Sequence, residues 1–429
     1  MSTRRRRAGL PGLAGLAAAL VLAAPAAADT IRLKPAMTAA YTIGTGIEGD
    51  EADLSRLELR PELSVRGPGN WRAELALQIE GAAGDTGLGA LDTYSDVSRP
   101  LSLGPDARLA IDTATLAWRK RSTRITLGKQ SLAWGVLDGL QVTDRFDAVR
   151  RREAVFTEHR PQRLSRWGAR AEFTRAGVKW DAGLLLDGTA DQFAEPGDTF
   201  AVTAPRLRAG LPASAPLPQL DVRTPGTPTA GLRASRRFDG HDASLLVIHG
   251  PDTEPVFRPT DTGVALEYDT RTLVGATWQT GSGSRVWRLE TAWIGDQPVN
   301  LEGPGLRTDT RSRWLAGVGM DWDLRGGAFL NAQLGADHVE GGALVRPDTD
   351  VIATVRLQKP FANETWKASA ELLGSLSDGD GTFRPAVTWQ VSDRFRLQGG
   401  ADIVWGDRAG LFGQFRDADR VWMKLSWMV

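Results

Sequence analysis

The sequence predicts an all-β chain folded as an antiparallel transmembrane β-barrel of about 18 strands, within a range of 16 to 20. Three observations carry this expectation. Apolar and polar residues alternate with period 2 along most of the chain, candidate strands run to roughly ten residues, and tight links alternate with long connectors.

At the amino terminus, Arg4 to Arg7 precede an apolar run from Leu10 to Ala24 and a small-residue site at Ala26-Ala27-Ala28. Residues 1–28 therefore read as a secretory signal peptide cleaved before Asp29, and 29–429 as a single outer-membrane barrel domain. Without the four leader arginines, 48 basic residues face 52 acidic ones, a net charge of −4. Nothing in that balance suggests a nucleic-acid binder. With no cysteine, the chain has neither a disulfide framework nor a lipidated amino-terminal thiol. No later apolar run approaches the roughly 18–20 residues of a membrane helix, so an exported soluble protein or a membrane barrel remains.

The alternation is explicit in WRAELALQIE, where Trp71, Ala73, Leu75, Leu77 and Ile79 share a face opposite Arg72, Glu74, Gln78 and Glu80. It recurs with Trp167, Ala169, Ala171 and Phe173 opposite Arg166, Arg170 and Glu172, and with Val351, Ala353, Val355 and Leu357 opposite Thr354, Arg356 and Gln358. Nineteen candidate strands follow, near 35–47, 54–65, 70–80, 108–120, 124–133, 164–175, 177–187, 228–238, 241–250, 260–269, 271–280, 285–295, 311–324, 327–338, 350–359, 364–376, 382–391, 393–405 and 419–429. Strands of soluble sheets average only about 5–6 residues, so these lengths favour a bilayer-crossing wall.

Tight links stand at 120–122, 176–177, 239–240, 325–326 and 392–393, with long outer loops near 81–107, 134–163, 188–227, 296–310, 339–349 and 406–418. A bacterial barrel needs an even strand number. Numbering inward from each terminus gives conflicting directions between His241 and Arg311, so one of the nineteen is surplus or one is missing, and 18 is the expected count. The fifteen tryptophans predict two interfacial girdles, with Trp118, Trp180 and Trp322 beside short turns and Trp134 and Trp405 before long loops. In the last strand, Val421, Met423, Leu425, Trp427 and Val429 oppose Lys424 and Ser426. This resembles the terminal signal read by barrel-assembly machinery, with Val429 in place of the usual final aromatic.

Catalytic chemistry has little support. His159, His241, His249 and His338 are scattered without zinc-site spacing, and there is no GxSxG motif or phosphate-cradling loop. No cofactor or metal is expected, and His249 is the only candidate base for an outer-membrane hydrolase. The connector 134–163 is more informative. It carries Arg145, Arg150, Arg151, Arg152, Arg160 and Arg163 beside Asp138, Asp144, Asp147, Glu153 and Glu158. Folded into the lumen, these charges would form a constriction with a transverse field; left outside, they would solvate a surface loop or meet lipopolysaccharide phosphates. Arg166, Arg170, Arg288 and Arg356, on polar strand faces, are expected to face the lumen and to pair with neighbours such as Glu172, Glu290 and Glu371. The Pro-, Ala- and Gly-rich segment 188–227 reads as a mobile external loop.

Gly128, Lys129, Gln130, Trp134 and Gly135, in LGKQSLAWG, precede an Asp138-Gly139 corner and a charged segment. This pattern resembles a bacterial outer-membrane family known as domain of unknown function 1302, over about Leu127 to Phe173. The resemblance implies an exported, porin-like barrel and brings no catalytic residues. The Asn-Pro expected further along is replaced by Asp144-Arg145-Phe146-Asp147. The function expected is a passive channel for small hydrophilic or amphiphilic solutes, embedded in outer-membrane lipid and lipopolysaccharide. The alternatives are a structural or adhesive barrel with a closed lumen and the hydrolase.

Overall fold

A strand with one apolar and one polar face crosses a bilayer only where its backbone groups are all paired, which requires a sheet without edges. Eighteen strands meet that requirement in the computed structural model, which describes residues 31–47, 52–84, 87–153, 162–212, 220–261 and 263–429. In chain order they are β1 (Arg32–Gly46), β2 (Leu54–Arg66), β3 (Trp71–Gly84), β4 (Ala107–Lys120), β5 (Thr123–Gln130), β6 (Arg166–Arg175), β7 (Val178–Leu185), β8 (Thr229–Phe238) and β9 (His241–Pro251). They continue as β10 (Thr270–Ser282), β11 (Arg285–Leu301), β12 (Arg307–Asp323), β13 (Phe329–Val339), β14 (Thr349–Phe361), β15 (Trp366–Ser375), β16 (Asp380–Gln390), β17 (Phe395–Trp405) and β18 (Arg420–Met428). Each pairs antiparallel with the next, and β18 pairs with β1 from Thr38↔Met428 to Gly46↔Arg420, closing the barrel. The predicted signal peptide, 1–28, lies outside the described residues.

Short turns join the strands at the end where both β1 begins and β18 finishes. At Ala176-Gly177 and Asp239-Gly240 both residues have positive φ, between 46° and 82°, the hairpin turn whose twist matches that of the strands. The other end carries nine connections: loop 1 (47–53), loop 2 (85–106), loop 3 (131–165), loop 4 (186–228), loop 5 (252–269), loop 6 (302–306), loop 7 (340–348), loop 8 (376–379) and loop 9 (406–419). Short turns below, and above them loops that include the long connectors 85–106, 131–165 and 186–228, are the asymmetry of an outer-membrane barrel.

The direction conflict resolves where it was placed. The predicted strand 260–269 is not part of the wall: Val264–Glu267 pairs antiparallel with Val256–Pro259 and parallel with Leu220–Val222, in a small sheet made by loops 4 and 5. Val264, Ala265 and Leu266 are all buried between the loops, so this strand has no lipid face. The predicted loop 296–310 shrinks to 302–306, because a register shift between Ile294 and Gln297 lets β11 and β12 continue pairing to Leu301↔Arg307.

Outward faces are apolar and exposed, as at Leu75, Leu116, Leu127, Val274, Leu289, Val318, Leu357 and Met423. Inward positions hold polar side chains that are largely covered, including Glu80, Asp181, Glu290 and Asn331. Near the short turns, Trp71 and Trp118 lie 6.4 Å apart, Phe173 stacks on Trp180, and Trp366 stacks on Trp389 at 5.2 Å. Trp405 and Trp314 are exposed near the long loops. Trp134 does not belong to a girdle: it is fully buried, because the chain turns inward after β5 and carries the ring into the barrel.

Gly128 explains part of the motif in β5. Its φ is +120°, and a Cβ there would stand 2.0 Å from the Ala114 carbonyl oxygen, so this close crossing of β4 accepts only glycine. Gly168, its partner on β6, is equally crowded by the Leu184 carbonyl at 2.1 Å. Lys129 and Gln130 are buried, with Asp187 and Asp112 the charged groups near the lysine.

Candidate functional site: a lumen loop and the wall it leaves open

Loop 3 leaves β5 at Ser131 and enters the barrel. Leu132, Trp134, Leu137, Leu140, Val142 and Phe146 form its inner face and pack on Leu185, Leu246, Ile248, Leu273, Ile294 and Leu315 of β7 and β9 to β12. The wall makes room with glycines at lumen-facing positions. A Cβ on Gly183, Gly231, Gly275, Gly317, Gly319 or Gly335 would stand 2.4–2.9 Å from a loop 3 side chain. A smooth groove along one arc of the wall is the result.

Carboxylates fix the loop in this groove. Glu290 on β11 accepts hydrogen bonds from the Val136 and Leu137 N–H groups and from the Thr143 N–H and hydroxyl, so it clasps both arms of the turn. Asp144 accepts from the Trp134 N–H at 3.2 Å and pairs with Arg163, while Asp147 accepts from the Leu132 N–H at 2.5 Å. The Trp134 indole donates to Asp181 at 3.0 Å, packs edge-on to Phe146 at 4.9 Å, and receives the Arg233 guanidinium 5.6 Å from its centroid. Gly135 is needed beside this clasp, since a Cβ would meet Asp144 at 2.8 Å and Glu290 at 3.0 Å. The Asp138 N–H donates to Gln333 at 3.2 Å.

Beyond Asp147, the loop crosses to other parts of the barrel. Ala148–Arg151 pairs with Gln162–Leu164 and with Gln192–Phe193 of loop 4. Arg150 and Arg152 both bind Glu80 on β3, at 2.8 and 3.0 Å, and Arg151 binds Asp191 at 2.6 Å. Arg145, Arg151 and Arg313 converge on Glu254 of loop 5, each at 3.3 Å. Glu153 is held between Arg56 on β2 and Arg420 on β18. Each of Arg145, Arg150, Arg151 and Arg152 is thus tied to a named carboxylate. Arg160 lies outside the described residues, as do Glu158 and His159.

The electrostatics of the loops follow from these partners. Burial pushes the Asp147 carboxyl up to about 7, with Arg166 and the Leu132 N–H only partly opposing it. Burial also raises Asp191 against the pull of Arg151. At Glu153, burial acts upward, but Arg56, Arg420 and Arg152 together bring the carboxyl well below the usual range. Glu254 behaves the same way under Arg145, Arg313 and Arg151.

The four predicted lumen arginines all occupy inward positions, with different partners. Arg166 is buried and donates to the Phe146 and Asp187 carbonyls, and Arg170 binds Asp181 at 2.7 Å. Arg288 binds Asp321 at 2.5 Å, in place of the expected Glu290, which is committed to loop 3. Arg356 differs: its guanidinium lies 2.7 Å from the Gln358 side-chain amide, which accepts from it when its oxygen is turned to that side, and no ion pair joins it to a described carboxylate. Lys367 on β15 has Arg356 and Arg396 as its charged neighbours, and neither it nor Arg396 has a carboxylate partner among the described residues. These three cations stand on β14, β15 and β17, outside the arc that loop 3 occupies. Arg60 and Arg72, on β2 and β3, are instead accompanied by Glu62, Asp112 and Glu74.

Loop 4 roofs the barrel. From β7 it crosses to the far rim, where Phe200 packs on Phe415 of loop 9 at 5.6 Å and under Arg420 at 5.3 Å. Gln414 accepts from the Thr203 and Ala204 N–H groups, and buried Arg206 bridges Asp350 and Asp378. Part of the predicted mobile segment, 213–219, lies outside the described residues; the remainder is anchored through these contacts. His249, the candidate base, points outward and shares a hydrogen bond with the Thr272 hydroxyl at 2.9 Å.

No family model matches the chain, and no curated protein does. Solved structures do match in fold. OccAB1 of Acinetobacter baumannii aligns with a TM-score of 0.52 at 10% identity, covering 93% of this chain and 96% of its own. OccAB4 of the same organism gives 0.52 at 10%, covering 93% and 98%. A BenF-like porin from Pseudomonas fluorescens Pf-5 gives 0.52 at 11%, covering 94% and 99%. Over nearly its whole described length, the chain has the closed antiparallel barrel fold of outer-membrane porins.

Proposed function

We propose that the protein is a passive outer-membrane diffusion channel that favours small hydrophilic anions. The observation that carries this reading is the division of the lumen. Loop 3 and its ties neutralise one arc, while Arg356, Lys367 and Arg396 stand on the wall opposite with no carboxylate partner among the described residues. A narrow water-filled passage between low-dielectric walls focuses such charge, and screening acts only over about 8 Å at physiological ionic strength. A carboxylate or phosphate solute would exchange part of its hydration for these side chains while passing, without any covalent step. Membership of the domain of unknown function 1302 type rests on Gly128, Lys129, Gln130, Trp134 and Gly135, and is part of the same proposal. So are lipopolysaccharide as the outer neighbour and recognition of β18 by assembly machinery.

A second reading, a structural barrel with a closed lumen, draws on the roof that loop 4 makes from Phe200 to Arg206. Swelling of liposomes containing the purified barrel separates the two. A channel of the proposed kind should admit small organic acids faster than neutral sugars of equal size; no swelling with either solute would support the closed barrel.

A further inference from the structure

At the short-turn end, the first five strands gather like charges on the lumen face. Alternation along β2 from Arg56, which reaches Glu153 of loop 3, places Arg66 on that face, and alternation along β3 from Glu80, which holds Arg150 and Arg152, does the same for Arg72. The register sets Arg32 opposite Arg66 and Arg66 opposite Arg72, three arginines in one row across β1, β2 and β3. Ala117 continues the row on β4, and two residues nearer the turn Arg119 stands opposite Arg124 of β5, whose partner on β6 is Glu172. Lys34 shares the face of Arg32 on β1. The carboxylates of this arc are already engaged: Glu74 by Arg72 at 2.5 Å, Glu62 and Asp112 by Arg60 at 2.7 and 2.9 Å, and Glu172 by Lys179 at 2.9 Å. Among the described residues, Arg32, Lys34, Arg66, Arg119 and Arg124 form no ion pair, and all are exposed.

Like charges directly opposite one another weaken a sheet, and this row has only Glu74 to offset three of them. A bound anion removes that cost. We propose that the arc binds the phosphate of a phosphate monoester at the periplasmic mouth of the barrel. Side chains directly opposite each other start about 5 Å apart, so two guanidiniums reach one tetrahedral group. The three terminal oxygens of a dianionic monoester accept from two guanidinium forks at once, whereas the two oxygens of a monocarboxylate are filled by one. Because the arc faces the lumen, membrane lipid does not reach it. The proposal deepens the reading of the lumen as an anion passage, and rests on it only for the bound solute to cross.

Saturation-transfer NMR on the folded barrel in neutral detergent, titrated with glycerol phosphate and with glycerate as a monocarboxylate of similar size, tests this. The titration is run at about pH 8, where a phosphate monoester, with a second pKa of roughly 6, is a dianion. Glycerol phosphate should bind more tightly. Arg32→Gln with Arg66→Gln should weaken it by roughly three- to tenfold, the size expected when two exposed ion pairs are lost, and should raise the thermal stability of the ligand-free barrel by relieving the row. Arg119→Gln with Arg124→Gln should weaken it in the same sense. Arg66→Lys, which keeps the charge but not the fork, should lose affinity for glycerol phosphate and not for glycerate. No binding of glycerol phosphate, equal affinity for the two solutes, or affinity unchanged in both double variants would overturn the site, as would binding lost only when Arg356, Lys367 and Arg396 are replaced. Binding by a barrel that passes no ions in a planar bilayer would uphold the site and overturn the passage.

Discussion

Replacing Glu290 tests whether the lumen loop is held by a buried carboxylate or simply by apolar packing. In Glu290→Ala, three backbone N–H groups and the Thr143 hydroxyl lose a charged acceptor at once, the contacts being 2.6–2.8 Å for Leu137 and Thr143. Hydrogen bonds to charged groups contribute about 1.5–3 kcal/mol each, and lumen water would re-satisfy some donors, so the docked loop should weaken by about 4–6 kcal/mol. That is a local cost: β11 keeps its pairing with β10 and β12. Asp144, Asp147 and the cluster around Trp134 still favour docking, so the loop should fluctuate without leaving the barrel. Hydrogen exchange should quicken across residues 132–146, and single-channel current should rise and become noisier. Glu290→Gln, which retains a carbonyl acceptor, should show about half the effect. Unaltered exchange across 132–146 in a folded Glu290→Ala barrel would refute the clasp.

Three further outcomes follow from the same geometry. Asp147 titrates near 7 when docked and near its ordinary 3.8 when free, so docking takes up a proton between those values. The docked loop is therefore favoured below about pH 4 and loses roughly 4 kcal/mol as pH rises to 7. Glu153 and Glu254, held low by arginines, act in the opposite sense and lose their contribution only in stronger acid. Asp147→Asn should flatten the change in exchange or channel noise between pH 4 and 7, and an unchanged profile would contradict it. Arg150→Ala with Arg152→Ala strips two of Glu80's partners, so thermal stability should fall while ion selectivity changes little; a selectivity change without destabilisation would return these arginines to the pore. Gly128→Ala drives a methyl group into the Ala114 carbonyl and should abolish the heat-modifiable folded form, whereas normal folding would show that β4 and β5 can separate there.

The wall was legible because lipid and water face opposite sides of every strand, which imposes period 2 on sequences such as Trp71 to Glu80. Val264–Glu267 misled because it is a strand, but one buried between loops, with Val264, Ala265 and Leu266 all covered, and only the requirement for an even count betrayed it. The ending of the regular strand near Trp134 was visible, but not its meaning. Read alone, a Trp before a long loop suggests an interface; its burial depends on Asp181, which arrives from β7, and on Phe146, from the returning arm of the same loop. Glu290 looked like a cross-strand partner for an arginine, and its true partners lie about 150 residues away in sequence. A usable signal did exist in the polar-face glycines Gly183, Gly231, Gly275, Gly317, Gly319 and Gly335. A lumen that faced only water would have no need of so many positions lacking a side chain.

The reversal potential of the purified barrel in a planar bilayer under a potassium chloride gradient tests the central claim most directly. The account requires conductance with a preference for chloride, reduced or inverted when Arg356, Lys367 and Arg396 are all replaced by glutamine. A conducting barrel that prefers potassium, or whose preference is the same in the triple variant, would contradict the basic wall as the source of selectivity, and a barrel silent to both ions would contradict the channel itself.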